Sequence, residues 1–534
     1  MNFQQVLNGA RRRWVHWKNN RRMVGLARQV AGLAPRRDER PVVFFNASTR
    51  LEGMSLNASF SLVASWALRM QGTPVVHFVC AQGLRPCVLG TQRDDPLAKP
   101  PCRACQAQSR AVYHGAKKRP FVYREDAALR QALEGRSTAD LTALEYRGVP
   151  LGALVTPALR WILRRHTLEE DVTTRTLLCQ YLLSAYSLAQ QFGKLLDEVK
   201  PQAVVVFNGQ FYPEATARWA AQQRGLRVIT HEVGLLPTTA YFTPGEATAY
   251  PIDIPETFDL NEAQNRQLDE YLEKRFQGNF SMAGMQFWPE MQPLGEAFWQ
   301  RASAFRQIVP IFTNVIFDTS QGHANVLFPH MFAWLDQTLE VIRAHPETLF
   351  VIRAHPDELR PGKESRESVA MWAEERNVCA LPNVLFVDAT EYFSSYELIQ
   401  RSKFVMIYNS TIGLEASLMG AAVLCAGKAR FTQLQTVFLP PNAEAYRQMV
   451  EEFLASEKIT PPAEHQRNAR RFLYYQLFRT SLPFERWLQE DGVWRGYTAF
   501  KPKVTWQDLL AQYSPVLRTV VDGILKGEPF LKKE

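Results

Sequence analysis

Two hydrophobic periods alternate along this chain. Residues 41–46 (PVVFFN) form a short solid apolar run, which predicts a buried strand. The loop ASTRLEGMSLN comes next. ASFSLVASWALRMQG then repeats apolar residues at helical spacing and stops at Gly72. PVVHFVC is the next strand. Strand, helix and strand at this spacing predict a βαβ unit and a parallel sheet. Residues 120–200 read as helical decoration. AVVVFNG, ATARWAAQQRG and LRVITHEVG form a second βαβ, and prolines at 237, 244, 251 and 255 break up the stretch after it. From Val309 to residue 427, five apolar runs alternate with helical patterns, the signature of a doubly wound sheet. After about residue 446 the pattern is helical to the end.

The hexamer VIRAHP occurs twice, at 341–346 and 351–356. Before the first copy, Phe332, Leu335, Leu339 and Ile342 lie on one helix face. That copy is expected to end a helix, with His345 at the amino-terminal edge of the sheet. The second copy comes after Leu349 and Phe350, the solid run of a buried parallel strand. Arg353 and His355 are therefore expected at the carboxyl edge, where such sheets bind ligands.

Three loops converge at that edge. In RAHPDE, Arg353 and His355 can donate to phosphate and Pro356 stiffens the turn. DATEYFSSYE leads into a helix capped by Ser394 or Ser395. In YNSTIGLEASLMG, Asn409, Ser410 and Thr411 stand where strand becomes helix, a place for an anion. Gly413 is expected to let a ligand approach the backbone, and Glu415 to accept ribose hydroxyls. Taken singly, a His-Pro after a strand is an ordinary turn and Ser-Thr before a helix an ordinary cap. In this order at one edge they suit a nucleotide.

The stretches TNVIFD, VIRAHPDE, SSYELI and YNSTIGLEASLMG resemble the capsule polysaccharide biosynthesis glycosyltransferases of bacteria. They are more distantly similar to teichoic-acid glycerophosphotransferases and bacterial sialyltransferases. The resemblance covers roughly 305–430. It implies a GT-B-like α/β fold of two facing Rossmann-like domains, with the nucleotide-sugar donor on the second and no cofactor required for catalysis. By the same resemblance, His355, Ser410 and Thr411 would contact donor phosphate and Glu415 the ribose. Ala354 stands where related His-Pro proteins often have Pro.

The implied domains are a basic arm (1–40), an acceptor domain (41–245) with a cysteine loop (80–105) and helical insertion (about 120–200), a linker (246–304), a donor domain (305–445) and C-terminal helices (446–534). Transfer to a sugar hydroxyl calls for a base on the acceptor side. The candidates are Glu232, the first choice, His231, Glu214 and Glu52. Glu214 also reads as a helix-start carboxylate favoured by the dipole.

Cys80, Cys87, Cys102 and Cys105 lie in a loop rich in Pro and Gly. Four thiolates ending in C-x2-C predict structural zinc, with an iron–sulfur cluster as the alternative. Otherwise Cys80 is a core thiol and the rest are unpaired.

Composition adds scale and charge. The chain has 534 residues, 46% of them apolar, so it can bury more than one core. No apolar run approaches the ~20 residues of a membrane span, and the N-terminus lacks a secretory core. These features predict a cytoplasmic protein. The net charge is +9, and residues 1–40 hold ten Lys/Arg against two acids. Interleaved with Trp14, Met23 and Leu26, that charge predicts peripheral contact with an anionic inner membrane rather than nucleic acid. A basic helix packed on its own domain is the plainer reading. The function expected is transfer of a sugar from a nucleotide-sugar donor to a glycan or lipid-linked acceptor. The alternatives are a non-catalytic scaffold retaining the fold and a sugar-nucleotide epimerase.

Overall fold

The computed structural model describes residues 3–47, 54–92, 94–95, 98–276, 292–494 and 496–533. Glu52 lies outside them. The first part of the chain supplies strands β1 (Val42–Asn46), β2 (Met54–Ser55), β3 (Val75–Cys80), β4 (Lys117–Phe121), β5 (Ala203–Phe207), β6 (Val228–Val233) and β7 (Thr239–Thr243). The second supplies β8 (Gln307–Phe312), β9 (Thr348–Arg353), β10 (Val384–Val387), β11 (Val405–Ile407) and β12 (Val423–Cys425). Three short strands come last: β13 (Leu482–Pro483), β14 (Leu488–Glu490) and β15 (Tyr497–Phe500).

These strands build a two-domain, Rossmann-like α/β fold. The first sheet runs β13-β7-β6-β5-β1-β3-β4, with β6 to β4 parallel and β7 and β13 antiparallel at one edge. The second, β10-β9-β8-β11-β12, is parallel throughout. Strand β1 shows why its sequence is apolar without alternation. Val42 and Phe44 enter one core with helix α2 (Leu56–Met70), whereas Val43 and Phe45 enter another with helices Leu151–Leu163 and Val172–Val199. A sheet covered on both faces has no polar side to reveal its period.

Three expectations change. The basic arm is not separate: it is one helix, α1 (Phe3–Leu33), whose Met23, Leu26, Ala27 and Val30 are buried in the same core as α2. The plainer reading therefore holds for its second half. The linker is partly core too. Leu268 and Leu272 of helix Glu262–Phe276 pack in the cluster that holds Leu414 and Phe472. Finally, the C-terminal region is not helical throughout. After helices Ala443–Ala455 and Ala463–Tyr474 the chain returns to the first domain, where β13 pairs with β7 and β15 with β2. These strands are two to four residues long, too short for a period to show.

Candidate active site

The carboxyl ends of the two sheets face each other across a cavity of about 440 Å³. The first domain contributes Asn208, Glu232 and Gly234. The second contributes Asn314, Asp318, His323, His355, Asn409, Ser410, Thr411, Lys428 and Arg430. A smaller cavity of about 110 Å³ shares His355, Ser410 and Thr411 with it and adds Arg275, Arg353, Pro356, Tyr396 and Glu415.

On the first-domain side, Glu232 lies near the end of β6 and is held by three donors. Asn57 Nδ2 lies 2.6 Å from Oε1, Asn208 Nδ2 lies 2.9 Å from Oε2, and the Val233 amide donates to Oε1 at 2.9 Å. Asn208 can do this because the turn after β5 bends through the left-handed region (φ 58° at Asn208, 86° at Gly209). Asn tolerates that conformation better than most residues, and Gly freely.

Of the other described candidates, His231 meets Asn57 Oδ1 through Nδ1 at 3.3 Å, and neither it nor Glu214 lines a cavity. His231 precedes Glu232 on a strand, so its side chain takes the opposite face. It is buried against Phe207 and Phe242, and burial pushes its pKa down to about 3. Glu214 is 1% exposed and lies in the first turn of helix Tyr212–Gln222. Burial raises its carboxyl to about 8.

On the second-domain side, the two VIRAHP copies take the places their surroundings foretold. The first ends helix Met331–Ala344, and the second forms the end of β9 and the turn after it. His355 caps the turn Pro356–Leu359 by accepting from the Asp357 amide through Nδ1 at 3.1 Å. Burial lowers its pKa, against the pull of Asp357 and Asp318. The neutral ring therefore carries its proton on Nε2. Arg353 is buried and donates to the Phe393 carbonyl, which ties two of the three loops together. Asn409 is tied in by its amide, which donates to Asn314 Oδ1 at 3.2 Å. Thr411 sits at the N-cap of helix Ile412–Leu418 without a side-chain cap bond.

Two of the expected nucleotide contacts are engaged within the protein. A Cβ at Gly413 would lie 2.2 Å from Ile407 Cδ1, so this glycine lets the helix pack on β11 and is not an approach for ligand. Glu415 has both oxygens engaged. Arg275 Nη2 donates to Oε1 at 2.6 Å and the Tyr396 hydroxyl to Oε2 at 2.5 Å. It lines the smaller cavity, held in place from both sides.

Sequence reasoning missed a bridge across the cleft. His323 meets Thr248 Oγ1 at 3.0 Å, Gln210 Nε2 at 3.2 Å and Glu246 at 3.2 Å, and Arg218 pairs with Glu246. Arg430 lies over the Tyr250 ring, 4.2 Å from its centroid. None of these residues stands in a motif. Only the Asn-Gly after β5 hinted at the Asn208 contact.

The four loop cysteines are free and gather in one region. Burial raises the thiols of Cys80, Cys87 and Cys105, the last to about 12, and neighbouring cysteines of the set raise each further. Yet among the described residues no group of three or more His, Cys, Asp or Glu side chains is arranged to hold a metal ion. The zinc or iron–sulfur expectation thus lacks a formed ligand set. The loop is held by Leu84 and Val88, buried in the first-domain core, and by the Tyr212 hydroxyl, which donates to the Pro86 carbonyl at 2.8 Å. Among the described residues no helix is long and apolar enough to cross a membrane.

Residues 306–434, which span the second sheet, match the model of the family described as capsule polysaccharide biosynthesis protein. No curated protein matches the chain. Among solved structures it is similar to the beta Kdo 2,4 transferase of Thermosulfurimonas dismutans KpsC (12% identity, 58% of this chain and 87% of that one, TM-score 0.35). It is also similar to the beta Kdo 2,7 transferase of the same protein (12%, 55% and 81%, TM-score 0.31). A third is the Methanocaldococcus jannaschii UDP-GlcNAc 2-epimerase in complex with UDP-GlcNAc and UDP (13%, 55% and 81%, TM-score 0.23).

Proposed function

We propose that this protein is a glycosyltransferase of bacterial capsule or exopolysaccharide synthesis that moves a sugar from a nucleotide-sugar donor to a glycan or lipid-linked acceptor. The observation that carries the reading is that the family segment, 306–434, holds His355, Ser410 and Thr411 at one wall of a cavity whose other wall presents Glu232. In this reading the donor phosphate lies against the His355 Nε2–H and the Ser410 and Thr411 hydroxyls. Lys428 and Arg430 offset the charge that builds on it as the sugar–phosphate bond breaks. Glu232, oriented by Asn57 and Asn208, takes the proton of the acceptor hydroxyl as its oxygen attacks the anomeric carbon. That role belongs to an inverting transfer.

The test is incubation with labelled nucleotide sugars and a capsule-type acceptor, and then product analysis. Labelled glycan with release of the nucleotide supports the proposal. Epimerised donor, or neither product with nucleotide still bound, sinks it. Glu232→Gln should lower turnover about 10²–10⁴-fold with little change in donor affinity.

A further inference from the structure

Helix α1 presents two unlike faces. Met23, Leu26, Ala27 and Val30 are buried in the first-domain core, and this fixes how the helix is rotated. Its inner side is pinned further by Arg22, which donates to the Phe500 carbonyl at 3.0 Å, and Asn19, which donates to the Asp491 carbonyl at 2.9 Å. On the far side Leu7, Trp14, Arg21 and Arg28 recur every seven residues and are all exposed, which makes one stripe along the helix. Arg11, Trp17 and Lys18 border it, one turn away on either side. Trp14 is 58% exposed and Trp17 53% exposed, beside Leu7 at 50%. Clustered exposed apolar groups mark interaction surfaces, and here two indoles stand among Arg11, Lys18, Arg21 and Arg28. Lys18 Nζ lies 5.0 Å from the Trp14 ring centroid, and the Arg21 guanidinium 4.8 Å from that of Trp17.

We propose that this stripe docks on an anionic lipid bilayer, with α1 lying in the plane of the interface. The argument is one of matched chemistry. Indoles settle at the headgroup level of a bilayer, one edge apolar and one wet, and Lys and Arg between them pair with lipid phosphates. A duplex nucleic acid would use the cations but leave the indoles exposed. Residues 1–40 carry ten Lys/Arg against two acids, so nearly all of the chain's excess charge of +9 sits on this segment. The inference does not rest on the proposed reaction, because vesicle binding is read without turnover.

The test uses the full chain and vesicles of phosphatidylcholine with or without phosphatidylglycerol, read by sedimentation. The wild type should bind the anionic vesicles at least about 10-fold better than neutral ones, and release as salt shortens the screening length below about 10 Å. Two variants should each lose about 10-fold or more, with thermal midpoints unchanged since the altered side chains are exposed. They are Trp14→Ala with Trp17→Ala, and Arg11→Glu with Lys18→Glu and Arg21→Glu. If the alanine pair fails to fold, Trp14→Phe with Trp17→Phe serves as the second probe and should retain binding that Trp14→Ser with Trp17→Ser loses. Indifference to lipid charge overturns the proposal, as does binding unaltered in folded variants. So does tighter binding to duplex DNA than to vesicles, or lipid-free self-association that the tryptophan variants abolish.

Discussion

The same six residues, Val-Ile-Arg-Ala-His-Pro, do different work ten positions apart. In both copies the first two side chains are buried, Val341 and Ile342 in one and Val351 and Ile352 in the other. Beyond them the copies part. Arg343 and Ala344 are exposed at a helix end, whereas Arg353 and Ala354 are buried at a strand end. His345 is held by Glu451 and Glu347 on the surface, and His355 lines both cavities. A motif's letters therefore carry no function until the element beneath them is known. Here the unbroken apolar run from Leu349 to Ile352 makes a strand, and the helical spacing before Val341 makes a helix end.

The sharpest break between the copies should appear in turnover. His355→Ala is expected to lower kcat/KM about 10²–10³-fold, the usual cost of one donor aimed at developing charge. His345→Ala should stay within a few-fold. Equal losses from two well-folded variants would end the distinction. The apolar positions should instead be alike, because Ile342 and Ile352 enter the same core. Ile342→Ala and Ile352→Ala should each cost about 2–5 kcal/mol in denaturant unfolding. The arginines should differ again, by less. Arg353→Ala leaves the Phe393 carbonyl without its donor and should cost about 1–3 kcal/mol. Arg343→Ala should lie within about 0.5 kcal/mol of wild type.

The smallest effect is in pH dependence, and there the two histidines should have opposite signs. Burial opposes the charge on His345, but the Glu451 and Glu347 carboxylates outweigh it and raise its pKa. Its contribution is then complete below the ordinary value of about 6.5 and lost as pH rises through the raised one. His345 is partly exposed, so that contribution is at most about 1 kcal/mol. Burial lowers the pKa of His355. Unfolded chains take up that proton first, so stability falls as pH drops below about 6.5 towards the lowered value. In thermal melts from about pH 5 to 8, His345→Gln should flatten the alkaline side of the profile and His355→Gln the acid side. A change of the same sign from both would contradict the opposed environments.

How much of this molecule can be read from its sequence depends on the strength of each local signal. The five strands of the second domain are legible because each is a solid apolar run between helical patterns, and the place of His355 comes from that. Residues that act through contacts between distant segments are not legible. Glu415 looks like an open carboxylate until Arg275, 140 positions away, is seen on it. His231 and Glu232 are neighbours in sequence, and only the pleat of β6 sends one into the core and leaves the other at the cleft. The cysteine loop is anchored by Leu84 and Val88 in the first-domain core, a packing effect that a count of thiols does not show.

The return of the chain to its first domain has a consequence in time. Strands β13 and β15 complete structures begun by β7 and β2, and Leu517, Val520, Val521 and Ile524 of the helix Pro515–Lys526 enter the core that β1 and α2 share. During synthesis the amino-terminal domain must wait, with an open sheet edge and a partly uncovered core, until some 240 residues between β7 and β13 have left the ribosome. The second domain needs no such wait, since its sheet closes with residue 425 and its covering helices with Tyr474. The half of the molecule that is made first is thus the half that is finished last.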